Sequence, residues 1–86
     1  MSKRVNIAFY EKKDWEQFLR IIDDRENMFD TWEEWHQSFL NLKNHLIQEG
    51  IQLNIVIINI NELVNYCNKR KIKLDGKARS QFVAIK

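Results

Sequence analysis

Residues 31–60 read TWEEWHQSFLNLKNHLIQEGIQLNIVIINI, and the rest of the chain is organised around them. Thr31 followed by Glu34 has capping-box spacing, in which hydroxyl and carboxylate each satisfy a backbone N–H that the first helical turn leaves orphaned. Glu33 and Glu34 also set negative charge at the positive end of the helix dipole. Trp32, Trp35, Phe39, Leu42 and Leu46 then form one stripe of a helix of period 3.6. Gly50 stands where the chain must turn left-handed, which glycine does without steric penalty. The spacing predicts a helix over about 32–49.

Leu40 and Ile47 lie off that stripe, with His36 and Lys43 between the two sets, so the apolar arc is wider than one neighbour requires. Either two elements of the same chain cover it or a partner does. The candidate partner interface is Trp32, His36, Leu40, Lys43 and Ile47. After Gly50, the run alternates from Ile51 to Asn54 and is β-branched on both faces from Ile55 to Ile58. That pattern predicts a strand buried on both sides. The run is too short to span a bilayer, so no membrane association is expected.

A chain of 86 residues is expected to form one small globular domain, 1–86. Such a chain buries only about 60–65% of its unfolded surface, which leaves stability modest. An apolar fraction of 44% with three Trp and five Phe nevertheless favours a folded globule over disorder. The lone Cys67 allows no intramolecular disulfide and points to a reducing compartment. Lys3 and Arg4 are not followed by an apolar run of signal-peptide length, so the expected location is cytoplasmic.

Outside the central stretch, Val5 to Tyr10 alternates as a short strand. Asp14 with Gln17 has cap spacing for a helix whose apolar face is Trp15, Phe18, Leu19 and Ile22. Asp23 to Asp30 reads as a charged connection, with Met28 and Phe29 tucked back onto the core. Asn59 with Glu62, or Asn61 alone, can cap a helix that buries Ile60, Leu63, Val64 and Cys67. Asp75 can start a last helix burying Ala78, Phe82 and Ile85, although Gln81 to Ile85 also fits a strand. The order is β-α-α-β-α-α. The expected class is α/β (α+β), with a small two-stranded sheet, parallel through a helical crossover and covered by helices. Two strands make a marginal sheet with open edges. A homodimer sharing sheet or helix face is the economical way to cover them.

Net charge is only +2, but its distribution is uneven. Residues 11–34 carry nine acids and four bases, whereas residues 69–86 carry seven bases and one acid. The two regions can face each other, or Lys69, Arg70, Lys71, Lys73, Lys77 and Arg79 can contact a polyanion. No helix-turn-helix glycine turn or aromatic ribonucleoprotein motif accompanies them.

Chemistry-bearing constellations are few. His36 and His45 point to opposite sides of one helix and cannot share a metal. Glu33 and His36 have the Glu-x-x-His spacing of di-iron bundles, but only one copy is present and such a site needs two. Cys67 falls on an apolar helix face, as a structural thiol does. Gly50 and Gly76 are isolated, so there is no phosphate loop. No catalytic, metal or cofactor residues are therefore assigned, and an enzyme is not expected.

The segments Asp30-Thr31-Trp32-Glu33-Glu34-Trp35, Asn61-Glu62-Leu63, Tyr66-Cys67 and Asp75-Gly76-Lys77-Ala78-Arg79 resemble a set of small uncharacterised bacterial proteins. The resemblance covers nearly the whole chain and implies a standalone bacterial domain. It carries over no activity and no functional residues. The expected function is a protein-interaction or regulatory module, homodimeric, acting through the central helix or the strand edge. The alternative is nucleic-acid binding through the basic segment 69–86.

Overall fold

The computed structural model describes residues 3–86. The elements are β1 (Arg4–Phe9), α1 (Trp15–Ile21), α2 (Trp32–Gln48), β2 (Gln52–Ile57), α3 (Ile60–Arg70) and α4 (Gly76–Ala84), with 3-10 turns at Lys12–Asp14 and Arg25–Asn27. This is the β-α-α-β-α-α order expected from the sequence. The two strands pair in parallel, from Arg4 opposite Gln52 to Phe9 opposite Ile57. Residues 81–84 are helical, which resolves the ambiguity at the end of the chain.

Partners in a parallel ladder share a face. Val5, Ile7 and Phe9 therefore point with Leu53, Ile55 and Ile57 to one side, and Asn6 and Ala8 with Asn54 and Val56 to the other. On the first side lies α2, whose Trp35 and Phe39 rings meet Phe9 edge-on at 5.6 and 5.3 Å. On the second lies α4. Asn6 donates through Nδ2 to the Val83 carbonyl at 3.0 Å and accepts on Oδ1 from Asn54. From α1, Trp15 and Phe18 reach Tyr10, and Trp15 also reaches Trp35, which closes an aromatic cluster at the end of β1. Phe18, Ile58 and Leu63 are the most completely enclosed side chains of the core.

Local chemistry explains the boundaries. Thr31 accepts from the Glu34 N–H at 3.1 Å and donates to its carboxylate at 3.0 Å. Gly50, at φ +77°, turns the chain after α2. Asn59 and Asp75 cap α3 and α4 through the N–H groups of Glu62 and Ala78. Asp14 makes no such bond, because the Lys12–Asp14 turn runs straight into α1 and leaves its side chain outside the cap position.

Four expectations of burial are corrected. Ile55 and Ile57 are 42% and 63% exposed rather than sealed on both faces, because α2 covers the sheet incompletely on the β2 side. Leu42 is exposed despite belonging to the α2 stripe, and Phe29 faces solvent where a core contact was expected. At the end of α4, Val83 takes the buried place expected of Ile85, which lies beyond the last helical residue and is exposed.

Candidate functional site

Two unpaired strand edges define the candidate surfaces. The Lys3 carbonyl accepts from Gln52 N–H at 2.8 Å, and the Phe9 carbonyl from Ile58 N–H at 2.9 Å. Backbone groups alternate along a strand. Residues 3, 5, 7 and 9 thus spend theirs on β2, while Asn6 and Ala8 aim theirs away from it. By the same alternation Leu53, Ile55 and Ile57 aim theirs away from β1.

The β2 edge is open and carries the exposed Ile55 and Ile57. Ile47 of α2, 53% exposed, stands near it. A shallow depression of about 640 Å³ runs between Lys43 and Ile47 on one side and Leu53 and Ile55 on the other. The upper part of the predicted interface is largely spent within the chain. Trp32 donates through Nε1 to the Tyr10 carbonyl at 2.8 Å and stacks on His36 at 4.4 Å. His36 stacks in turn on Phe39, and Leu40 packs against the core. Lys43 is half-buried, so Ile47 is the exposed apolar member of the set.

The β1 edge is recessed. It forms the floor of a groove of about 420 Å³, with Trp35, Ser38, Phe39 and Leu42 of α2 on one wall and Gly76, Arg79, Ser80 and Val83 of α4 on the other. Tyr10 closes one end, its phenol pushed up to about 12 by burial, against a lowering influence of Arg79, so that it stays protonated at neutral pH. Sequence reasoning missed the ion pair that holds the α4 wall. Arg79 donates to both oxygens of Asp24, at 2.7 and 2.8 Å. Both side chains are nearly buried. The hydrogen bond from Arg79 holds the Asp24 carboxyl below its usual range, and burial opposes it. Burial is the largest single influence on the Arg79 guanidinium and would lower it, but the hydrogen bond to Asp24 together with the charges of Tyr10, Asp24 and Asp75 raises it overall. Next door, Asp23 and Leu74 exchange two bonds: Asp23 N–H to the Leu74 carbonyl at 2.9 Å, and Leu74 N–H to the Asp23 carboxylate at 2.7 Å. The stretch read as a charged connection is thus the clamp that fixes α4. No spacing rule joins residues so far apart in sequence.

Arg79 is therefore separated from the predicted polyanion contact. Lys69, Arg70, Lys71, Lys73 and Lys77 remain exposed around the α3–α4 turn. Among the described residues none of these five is ion-paired. Arg70 lies 3.8 Å over the Tyr66 ring, a cation–π contact that also orders its side chain. Lys71 ends α3 in the left-handed region, at φ 54°.

Cys67 is buried, and burial followed by the charges of Asp75 and Asp23 raises its thiol, which opposes thiolate formation. Among the described residues there is no cluster of three or more His, Cys, Asp or Glu able to hold a metal, and no helix long and apolar enough to cross a membrane. Comparison with protein-family models, curated proteins and solved structures gives no match to this chain.

Proposed function

We propose that this chain is a small protein-interaction module that acts as a homodimer, with the outer edge of β2 as its self-association surface. The observation that carries the reading is the exposure of Ile55 and Ile57 on a strand whose outer edge is unpaired among the described residues. Two copies related by a twofold axis would pair β2 with β2 antiparallel, satisfy both edges and cover Ile47, Ile55 and Ile57. Growth would stop at two, because α2 and α4 wall the other edge against a second sheet.

Full burial of an isoleucine stabilises by about 1.5–3 kcal/mol, so six half-exposed ones across the axis contribute about 6 kcal/mol. With edge hydrogen bonds added and association entropy opposing, a dissociation constant of about 1–100 μM is expected. Sedimentation equilibrium from 1 to 200 μM tests the reading. The native chain should show a monomer–dimer transition and Ile57→Lys should remain monomeric. A native chain that is monomeric throughout the range would overturn it.

A second reading, nucleic-acid binding, is favoured by the five cations at the α3–α4 turn that form no ion pair among the described residues. It predicts an affinity for duplex DNA or RNA that falls with salt at a log–log slope of about −0.9 per phosphate contacted. Absence of a mobility shift at low salt would remove it.

A further inference from the structure

We propose that the groove along β1 accepts a short extended segment of a partner protein as a third strand, an uncharged one with alternating side-chain size. Two observations lead there. Asn6 and Ala8 turn their N–H and C=O groups into the groove, and no hydrogen bond from another described residue reaches them. An extended backbone supplies donors and acceptors at the matching repeat, which is how strand addition obtains affinity. The Asn6 side chain cannot fold back onto its own edge, because Asn54 and the Val83 carbonyl hold it on the α4 side.

The walls specify the partner's side chains. A strand added beside β1 projects alternate residues toward α2 and toward α4. The α2 wall offers Trp35, Phe39 and Leu42, which suit large apolar side chains. The α4 wall offers Gly76, Ser80 and Val83, which suit small or hydroxyl side chains. Charge complementarity favours a neutral occupant. Among the described residues, Arg79 is the one formally charged groove-lining side chain, and Asp24 already neutralises it. The groove volume of about 420 Å³ lies within the range of sites that enclose a small ligand, and it suits a few residues of extended chain. The groove admits a bare strand but not one that already carries its own helices.

The probe is an acetylated, amidated heptapeptide alternating Leu or Val with Ser or Thr, titrated into the 15N-labelled chain to 1 mM. Amide shifts centred on Asn6 and Ala8, with gained hydrogen-exchange protection there, are expected. Two N-methylated versions, one for each alternate set of residues, distinguish strand addition from simple greasy contact. One should lose at least tenfold in affinity and the other should retain it. Ser80→Trp, at an exposed position on the groove wall, should also weaken binding at least tenfold. Ile57→Lys should leave binding unchanged, which separates this site from the proposed dimer edge. The proposal is overturned by no shift at 1 mM, by equal binding of both N-methylated peptides, or by shifts centred on Leu53 to Ile57. It is equally overturned if Ser80→Trp binds like the native chain, if Ile57→Lys abolishes binding, or if Asn6 and Ala8 shift with protein concentration alone, since a second copy would then occupy the groove.

Discussion

The two edges of one small sheet have opposite surroundings. Beside β1, the Trp35 and Phe39 rings of α2 and the α4 wall held by the Arg79–Asp24 pair leave only a slot. Beside β2, Ile55 and Ile57 meet solvent. Both strands are apolar and both have one unpaired edge, so strand composition does not set the difference. What sets it is the side on which the helices find anchors. Tyr10 gives α1 and α2 an aromatic floor at the end of β1, and Asp24 gives α4 a fixed ionic contact. β2 is followed by Ile58, whose side chain is spent on the core.

If that contrast is right, substitutions on the β1 side should be the costly ones. Phe18→Ala empties the centre of the aromatic cluster, where Phe18 is fully enclosed, and should cost about 4 kcal/mol in urea unfolding. A loss below about 1 kcal/mol would mean that the β1 side is loosely packed and the contrast false. Asp24→Asn comes next. It leaves the Arg79 guanidinium nearly buried without its counter-ion, at a cost of about 3 kcal/mol.

The same substitution sharpens the contrast through pH. Asp24 titrates below its usual range in the folded chain, so its contribution is fully present above the unfolded carboxylate value of about 4. It is lost as pH falls through the depressed folded value. Asp24→Asn should therefore flatten the acid limb of stability as pH falls below the unfolded carboxylate value of about 4. An unchanged limb would show that the pair does not hold α4.

Effects on the β2 side should be smaller. Gly50→Ala meets no atom within 4 Å, so its cost comes from φ +77° alone and should be about 1 kcal/mol. Smallest is Ile57→Lys. Measured by urea unfolding at a concentration where the chain is monomeric, it should change stability by no more than about 0.5 kcal/mol. A loss of 2 kcal/mol would show that Ile57 belongs to the monomer's own core and would break the comparison.

Much of the architecture was legible because it is local. Thr31 with Glu34, Asn59 with Glu62, and Asp75 with Ala78 are contacts three residues apart, and each marks a helix start that the structure contains. Gly50 marks the turn before β2 by its backbone freedom. The apolar stripe containing Trp35 and Phe39 identifies the face of α2 that packs on the sheet. Element order then made a parallel pair the economical arrangement.

The sequence alone thus indicated the elements, apart from the end of the last helix, their order and a parallel pairing of the strands, since caps, periodicity and turn residues act within a few positions. Only the tertiary structure decided which apolar residues stay exposed. Ile55 and Leu42 read as core by pattern, yet coverage depends on how far neighbouring helices reach. Only the tertiary structure moved Arg79 from a basic surface into a nearly buried pair with Asp24, 55 positions away. The physical reason is the same in both cases. Periodicity reports that a face is apolar, but what lies against it depends on chain segments brought together from opposite ends of the molecule.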